Sequence, residues 1–492
     1  MPFTMLLPAK LLILKFQSRQ PSIRMEAGLD EDGNPAGAMD MLNHLKIENF
    51  KAWKEADLTL GKVTGFFGTN SAGKSSLLQF LLLLKQTRNA TDRGLVLDFG
   101  GPGDMVNLGT FKDVVHQQDE QTRISWALDW TLSERLRIND PMKRRSRTLF
   151  VGDWLRTRCE VGLRQTTLWP YELAYRFAEV DFRLRPEDGS QTEFDLEDTA
   201  EFQFIRNRGR PWRLPRPVKT YRFPDETRVY YQNADFLGDF ELAYEKLMDS
   251  VYYLGPLREY PRREYHWGGS SPEDVGQRGE CTVDAILAAT RDGITRSLGR
   301  RKRKKPFQEM IAFWLNELGL IRDFRIEEIA EGTNLYRAMV RTSASSVPTG
   351  LTDVGFGVSQ VLPALVLLYY VPEGSTVLLE QPEIHLHPGV QSGLADVMLK
   401  VAETRNVQII LESHSEHLMR RLQRRVAEET TSSGDVKLYF VSTNRGAAQA
   451  TDLALNEWGE IENWPDQFFG DEMGEIAAIT KASLSRKMKV SA

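Results

Sequence analysis

A glycine-rich stretch of nine residues carries the clearest chemistry in the sequence. Gly-Thr-Asn-Ser-Ala-Gly-Lys-Ser-Ser, from Gly68 to Ser76, fits the pattern G-x-x-x-x-G-K-[ST] without a mismatch. In such a loop the backbone N–H groups surround a phosphate chain, the lysine reaches the terminal phosphates and the following hydroxyl binds Mg²⁺. The stretch therefore predicts a phosphate site, with Ser75 as a magnesium ligand, made of Gly68, Asn70, Ser71, Ala72, Gly73, Lys74, Ser75 and Ser76.

The flanking residues predict the elements that position this loop. Residues 62–67 have the character of a short strand, and the apolar run from Leu77 to Leu84 predicts a buried helix. A strand, a glycine loop and a helix N-terminus together aim backbone amides and the helix dipole at an anion. Two further strands are predicted ahead of the loop, at 42–50 and 56–60, from their largely alternating apolar residues.

A second group of signals lies between residues 351 and 418. Residues 354–360 form a glycine-rich turn before an apolar helix predicted at 361–370, which again offers amides to an anion. The apolar run 375–379 predicts a strand buried on both faces of a parallel sheet, and it ends in Glu380. An acid at the carboxyl end of such a strand lies where ligands bind in α/β sheets. A second buried strand, 407–411, is followed by Glu-Ser-His-Ser.

Two histidines near Glu383 raise the question of a structural metal. His385 and His387 alternate along a turn instead of standing four residues apart on a helix. No second cluster in the sequence completes a set of ligands, so a structural metal is not expected.

Several polar residues allow two interpretations. Gln86, Gln117 and Gln118 are alternative magnesium-contacting glutamines, or simply exposed amides. Arg258, after a Gly-Pro turn, either reaches a phosphate or pairs with an acid. The basic stretches 206–219 and 300–305 suit either nucleic-acid backbone contacts or solvated loops, and the solvated loop is the commoner case.

Composition limits the class of protein. The 492 residues carry a net charge of -5 and are 41% hydrophobic, which is ordinary for a soluble globular chain and argues against global affinity for nucleic acid. Two distant cysteines fit a reducing cytoplasm. The apolar stretch 6–16 is interrupted by proline and lysine and is too short to span a bilayer, so neither a membrane segment nor a signal peptide is predicted.

The order of these motifs resembles the ABC-type ATPases grouped with the structural-maintenance, RecF and OLD-like proteins, and it resembles most the bacterial stand-alone ATPases found in phage-defence operons. The resemblance rests on the phosphate loop, on Gly355-Phe-Gly-Val-Ser-Gln360, on the Leu-Leu-Glu-Gln-Pro-Glu segment and on the Ser-His segment, with Trp464–Phe469 in a C-terminal extension of unknown function. It implies ATP and Mg²⁺ as ligands, Glu380 as a magnesium residue and His414 as a γ-phosphate sensor. Gly355, Gly357 and Ser359 would contact the nucleotide bound by the partner in a head-to-tail homodimer or a higher oligomer.

One departure from the family's pattern bears on the rate of catalysis. Gln381 occupies the position where the superfamily usually has a catalytic glutamate. An amide orients water but does not accept its proton, so we expect slow hydrolysis, with Glu383 as a possible substitute. Gly355 likewise stands where the signature serine is usual, which removes a side-chain contact to phosphate.

The resemblance also implies an architecture. We expect an α/β fold: an ABC-type P-loop nucleotide-binding domain, with a mixed, mostly parallel sheet flanked by helices, a β-rich insertion and a helical subdomain. The expected segments are a flexible leader (1–40), the first ATPase part (41–121), the insertion (122–253), a helical lid (254–350), the second ATPase part (351–430) and an extension (431–492). From their own apolar patterns, residues 201–205 predict a strand, 236–253 a helix at the end of the insertion and 307–318 a further helix.

The expected function is that of a cytoplasmic ATPase switch. ATP binding would dimerise it and control a separate effector protein, in bacterial antiphage defence by analogy with the family. The alternatives are a RecF-like DNA-binding ATPase in repair and a nucleotide-locked scaffold without turnover, while a transport ATPase fits poorly. No built-in nuclease is expected, because from Val436 onward there is too little chain for such a domain and no Asp-x-Asp.

Overall fold

The computed structural model describes residues 40–140, 142, 147–187, 190, 192–209, 213–299, 302–465, 479 and 483. The predicted leader lies outside these ranges apart from Asp40, and so does the Trp464–Phe469 segment beyond its first two residues. Parts of both basic stretches also fall outside them.

The chain alternates between strand-rich and helix-rich segments. In chain order the strands are β1 (Met41–Phe50), β2 (Trp53–Thr59), β3 (Val63–Gly68), β4 (Ile124–Asn139), β5 (Thr148–Arg164), β6 (Thr167–Phe177), β7 (Val180–Pro186), β8 (Phe194–Leu196), β9 (Val251–Leu254), β10 (Tyr265–His266), β11 (Thr295–Arg296), β12 (Lys305–Pro306), β13 (Asp323–Glu328), β14 (Leu335–Arg341), β15 (Thr349–Gly350), β16 (Thr376–Glu380), β17 (Gln408–Glu412), β18 (Val436–Asn444) and β19 (Ala447–Asp452). The helices are α1 (Lys74–Asn89), α2 (Phe111–Val114), α3 (Glu226–Tyr230), α4 (Leu237–Asp249), α5 (Thr282–Arg291), α6 (Phe307–Glu317), α7 (Phe356–Tyr370), α8 (Pro388–Arg405) and α9 (Glu416–Ala427), with short 3₁₀ turns at His116–Gln118 and Leu351–Asp353.

A six-stranded, mostly parallel sheet carries the phosphate loop. Its strand order is β19-β18-β3-β17-β16-β9, and β19 alone runs antiparallel to its neighbour in this path. Strands β16 and β17 are buried along their whole length, as their apolar runs predict. Successive residues of β3 face opposite sides, so that Phe66 joins a core with α1 and Phe67 joins a core with α5 to α9. The predicted α/β class is confirmed.

A seven-stranded antiparallel sheet lies in the order β2-β1-β4-β5-β6-β7-β8. Its first two strands precede the phosphate loop in the sequence, and β1 pairs directly with β4, for example Leu45 opposite Leu128. The β-rich segment predicted from residue 122 therefore continues a sheet that begins at Met41.

The segment predicted as a helical lid contains α5 and α6 but also a small sheet. Strands β10, β14 and β13 pair in that order, and β15 adds to β14. This sheet was not expected from the sequence. Its strands are short or carry charged residues at alternate positions, such as Arg325 and Glu327, and this weakens the apolar signal.

Two local predictions were wrong. Residues 201–205 do not form a strand, because their backbone N–H groups bond to side chains instead: Phe204 N to Asp198 and Ile205 N to Asn233. Their alternating apolar residues fill an aromatic cluster under the antiparallel sheet. The helix expected at 236–253 ends at Asp249, and Val251–Leu254 forms the edge strand β9 beside β16.

The helices were also compared with the length and apolar character of membrane-spanning segments. Among the residues described here, no helix has both the length and the apolar character needed to cross a bilayer.

Candidate functional site

The phosphate loop joins β3 to the N-terminus of α1 with the backbone that its glycines allow. Gly68 and Gly73 have φ of 131° and 102°, in a region that side chains rarely adopt. A Cβ on Gly68 would lie 2.0 Å from the carbonyl oxygen of Val441 on β18. Asn70 and Ser71 at the tip are exposed, and Ser75 and Ser76 lie half-buried in the first turn of the helix. The loop is thus open to a ligand at the end of α1.

Lys74 lies inside the loop. Its side chain is 2% exposed, and Nζ donates to the carbonyl oxygens of Thr69 (2.7 Å) and Gly68 (3.2 Å). Burial lowers the pKa of Lys74, while the carboxylates of Glu412 and Glu383 oppose that shift. The cation is therefore held against the carbonyl oxygens of its own loop, near Glu412 at the end of β17 and Glu383 on the turn after β16.

A tryptophan from the antiparallel sheet braces the same loop. Trp53 is fully buried in β2, and its Nε1–H donates to the Gly73 carbonyl oxygen at 3.0 Å. Ala72 is buried as well. Ala52, next to Trp53, accepts a 2.7 Å bond from the backbone of Ala448 on β19. The two sheets therefore meet at the phosphate loop.

Two glutamates end adjacent strands beside the loop. Glu380 on β16 lies opposite Glu412 on β17 in the parallel register, and both are buried. Burial, reinforced by the charge of Glu412, raises the pKa of Glu380 to about 7. The groups that face Glu380 from other elements are the Tyr253 hydroxyl, 3.1 Å from Oε1, and the cations Arg258 and Lys51, which favour its ionised form. Oε2 of Glu412 has no hydrogen-bond partner among the described residues.

Glu383 connects the turn after β16 to the segment after β17. Its Oε1 accepts hydrogen bonds from the Ser413 hydroxyl at 2.8 Å and from the His414 backbone N–H at 2.7 Å. Burial raises the pKa of the Glu383 carboxyl, against the effect of these donors. Its Oε2 is buried without a partner among the described residues. One oxygen is thus engaged in structure and the other is available.

Gln381 and His414 lie on the two turns that Glu383 joins. Gln381 has φ of 44°, and its backbone N–H donates to the Glu412 carbonyl oxygen at 2.9 Å. Partial burial lowers the pKa of His414, and the nearby Lys74 charge adds to that effect, whereas the Gly68 backbone favours the protonated ring. His414 therefore lies next to the phosphate loop, as a γ-phosphate sensor requires.

The glycine-rich turn predicted before the apolar helix is largely helical. Helix α7 begins at Phe356, so Gly357 and Ser359 fall in its first turn and Gly355 is its N-cap residue. Gly355 and Phe356 are exposed, while Ser359 is buried and donates its hydroxyl to the Phe356 carbonyl at 2.8 Å. Gly355 and Phe356 are therefore the residues this helix end offers to a partner.

The structure separates the three glutamines that were candidates for contacting magnesium. Both polar atoms of the Gln86 amide are used in structure: Nε2 donates to the carbonyl oxygens of Asp98 and Val106, and Oε1 accepts from the Val106 N–H. Gln86 thus fixes the loop 98–106 and does not face the site. Gln117 and Gln118 are exposed.

A structural metal at His385 and His387 finds no support, since no cluster of three or more histidine, cysteine or acidic residues suited to a metal occurs in the described ranges. This result is compatible with Mg²⁺ bound to ATP, because that ion takes one or two protein ligands and completes its shell with phosphate and water. The open glycine loop, the buried cation and the unpartnered carboxylate oxygens fit Mg–ATP, with Ser75 and Glu380 as the residues that would hold the metal.

Sequence reasoning missed part of this site. From the sequence, Glu412 was recognised only as the residue after a buried strand. Its position opposite Glu380 could have been predicted by pairing the two buried strands in parallel. Lys51 was not singled out: its Nζ donates to Gln79 at 2.6 Å and its charge acts on Glu380. No local pattern marks it, because it is brought to the site by the turn between β1 and β2.

Three protein-family models match parts of the chain. A family model described as "AAA ATPase domain" matches residues 41–140, and one described as "AAA domain, putative AbiEii toxin, Type IV TA system" matches residues 178–420. A third, "Protein of unknown function (DUF3696)", matches residues 432–479. No curated protein sequence matches the chain.

Solved structures similar to this chain include three SMC heads. The SmcHead bound to the C-winged helix domain of ScpA has a TM-score of 0.40 and 12% identity, over 84% of this chain and 98% of that one. An Smc head domain with an extended coiled coil, bound to the C-terminal domain of ScpA derived from Pyrococcus furiosus, has a TM-score of 0.39 and 10% identity. The match covers 85% of this chain and 97% of that one. The SMC head domain from Thermotoga maritima has a TM-score of 0.37 and 10% identity, and the match covers 84% of this chain and 98% of that one.

The two ATPase models cover the segments that carry the phosphate loop and the acidic strand ends. Together they identify the chain as an AAA-family P-loop ATPase.

Proposed function

We propose that the chain binds Mg–ATP at residues 68–76, hydrolyses it slowly and acts as a dimerising switch for a separate effector protein. The observation that carries the ATP site is Lys74, which is buried in an open glycine loop near the acids Glu412 and Glu383. AAA-type ATPases are generally ATP hydrolases, which supports turnover.

Each residue of the site has a distinct part in this proposal. Lys74 and the loop amides bind the phosphates, as the N-terminus of α1 favours. Ser75 and Glu380 would hold Mg²⁺, which supplies positive charge against the phosphate oxygens when bound. His414 faces the loop from the end of β17 and senses the terminal phosphate.

Water activation falls to the turn after β16. The Gln381 amide orients the water but accepts no proton, and the available Oε2 of Glu383 is the proton acceptor. Oε1 of Glu383 is already bonded to Ser413 and His414, so the carboxylate has little freedom to move toward an attacking water. Slow turnover is the expected consequence.

The exposed start of α7 supports the proposed dimer. Gly355 and the aromatic ring of Phe356, which is 52% exposed, lie at a helix N-terminus that faces outward. In a two-fold head-to-tail pair, this end would close the nucleotide bound by the partner, so each ATP would hold two copies together.

The biological role is proposed from relatives. The model matching residues 178–420 is named for a toxin of a toxin–antitoxin system, which supports control of a paired protein, as in bacterial antiphage defence. β18 and β19 complete the ATPase sheet, so we assign these two strands to the ATPase fold and not to a nuclease.

DNA binding is the second candidate, but the described part of the basic stretch 206–219 disfavours it. Arg206 pairs with Asp195, and Arg213 pairs with Glu187 and Glu193. Arg216 and Lys219 donate to backbone carbonyls. Cations already satisfied within the chain are poor phosphate contacts.

Steady-state ATP turnover at saturating Mg–ATP tests the proposal, with Lys74→Ala as the blank. We expect slow turnover that disappears in Lys74→Ala. Tight ATP binding without turnover would support the nucleotide-locked scaffold instead, and ATP binding unaffected by Lys74→Ala would exclude the site.

A further inference from the structure

Arg258 is a buried cation whose hydrogen bonds are mostly missing. The residue is 6% exposed, and neither Nε nor Nη1 has a hydrogen-bond partner among the described residues. Nη2 reaches only the backbone carbonyl oxygen of Glu380, at 3.5 Å. A guanidinium carries five N–H donors, and burying it with so few partners is costly. The side chain is therefore placed for an anion that comes from outside the chain.

Arg258 lies at the same edge of the sheet as the phosphate loop. It follows β9, the parallel neighbour of β16, so it flanks Glu380 on the side away from β17 and β3. The charge of Glu383 acts on both Lys74 and Arg258, which places the acid within electrostatic range of both cations. The sheet order therefore places Lys74 and Arg258 at the same edge of the sheet, on opposite sides of Glu412 and Glu380.

The backbone on both sides of Arg258 is fixed. The Gly255 N–H donates to the Gln277 carbonyl oxygen and the Glu259 N–H donates to the Arg278 carbonyl oxygen, each at 2.8 Å. A Cβ on Gly255 would lie 2.9 Å from the Tyr253 hydroxyl, so the turn has little space to spare. A guanidinium held this way loses little entropy when it binds, which suits a group that recognises phosphate.

An ion pair within the chain is the simpler role for a buried arginine. The salt bridges found among the described residues, from His44–Asp57 to Arg425–Glu428, do not include Arg258. The charge of Glu380 acts on Arg258, but Oε1 of Glu380 accepts its hydrogen bond from Tyr253. The geometry favours an external anion over this role.

We propose that Arg258 contacts the terminal phosphate of ATP from within the same chain, opposite Lys74. Glu380 would hold the metal, which would supply positive charge to the phosphates, and Arg258 would add a second positive charge from the β9 side of Glu380. Arg258 then distinguishes ATP from ADP. This inference rests on the proposed ATP site.

Nucleotide titrations of the full-length chain test it, with Mg–ADP and the Mg complex of a non-hydrolysable ATP analogue. For Arg258→Gln we expect an affinity loss of about tenfold or more for the ATP analogue and at most about twofold for ADP, since one charged hydrogen bond is removed. Arg262→Gln is the matched control, because this exposed arginine of the same turn pairs with Glu259. Arg258→Lys keeps the charge without the fork and should be intermediate.

Equal losses for both nucleotides, or no loss for either, in Arg258→Gln would overturn the inference. If Arg258→Gln does not fold, as judged by circular dichroism, Arg258→Lys decides, and an unchanged preference for the ATP analogue overturns it. Failure of the proposed function itself gives a different result, in which the unmodified chain binds neither nucleotide or Lys74→Ala binds both normally.

Discussion

Glu383 and His414 are joined by a 2.7 Å hydrogen bond from the histidine backbone N–H to the glutamate Oε1. This bond links the turn that carries Gln381 to the segment that faces the phosphate loop. The acid is therefore bonded directly to the backbone of the proposed phosphate sensor.

Glu383→Gln should lower kcat for ATP hydrolysis by about 10²- to 10⁴-fold while leaving Mg–ATP binding intact. The amide still accepts the bonds from Ser413 and His414 but has no carboxylate to take a proton. Single-turnover kinetics and equilibrium binding separate the two effects. Glu403→Gln, an exposed acid on α8, is the control.

Retained turnover in Glu383→Gln together with its loss in Glu412→Gln would contradict this assignment. It would place the proton acceptor on Glu412, whose Oε2 is also buried without a hydrogen-bond partner among the described residues.

Gln381→Glu should raise kcat by about tenfold or more, because a carboxylate at this position accepts the proton that the amide cannot. The double variant Gln381→Glu with Glu383→Gln should regain turnover relative to Glu383→Gln alone. Steady-state phosphate release at saturating Mg–ATP measures both. A fall in kcat for both variants would mean that the left-handed turn does not tolerate the added charge.

Gly68→Ala should destabilise the fold by about 2–4 kcal/mol, since φ of 131° and a Cβ 2.0 Å from the Val441 carbonyl force the backbone to shift. Gly355→Ala is the matched control, because φ is −59° and a Cβ there meets nothing within 4 Å. Urea unfolding of both variants gives the comparison. Equal stabilities would show that the loop relaxes around a side chain.

Glu380→Gln should stabilise the nucleotide-free, magnesium-free chain at pH 8 by on the order of 2 kcal/mol. The pKa of Glu380 is about 7 in the folded chain, above the ordinary 4.5 of the unfolded chain. Its contribution to stability is therefore complete below about pH 4.5 and is lost as pH rises through 7, where the buried group must ionise.

The difference between the variant and the unmodified chain should accordingly grow between pH 5 and pH 8 in urea unfolding. A difference that does not change over this range would rule out the raised pKa as its origin.

Phe356→Asp should prevent ATP-dependent dimerisation while each chain still binds nucleotide, because a charge would be buried at the proposed interface. Light scattering with Mg–ATP, in the Glu383→Gln background that slows hydrolysis, measures the mass. Val229→Asp, at an exposed valine on α3, is the control. A dimer that persists in Phe356→Asp would move the interface away from α7.

The sequence predicts this site best where the residues concerned lie within one short stretch. The phosphate loop, the strand ending at Glu380 and the helix predicted at 307–318 follow from short patterns, and the structure reproduces them, with the helix ending at Glu317. Residues 201–205 show where such patterns fail, because apolar alternation also arises when a loop fills an aromatic cluster. Glu412 joins the site through the pairing of β16 with β17, and Lys51 through the turn between β1 and β2, so no single stretch of sequence marks either residue.

Trp53 holds the Gly73 carbonyl from within β2, and β2 is the edge strand of the antiparallel sheet. The phosphate loop is therefore anchored in part by a residue of the antiparallel sheet. A ligand whose binding displaced Trp53 would change the nucleotide affinity of the proposed site, and nucleotide would change the affinity for that ligand by the same factor.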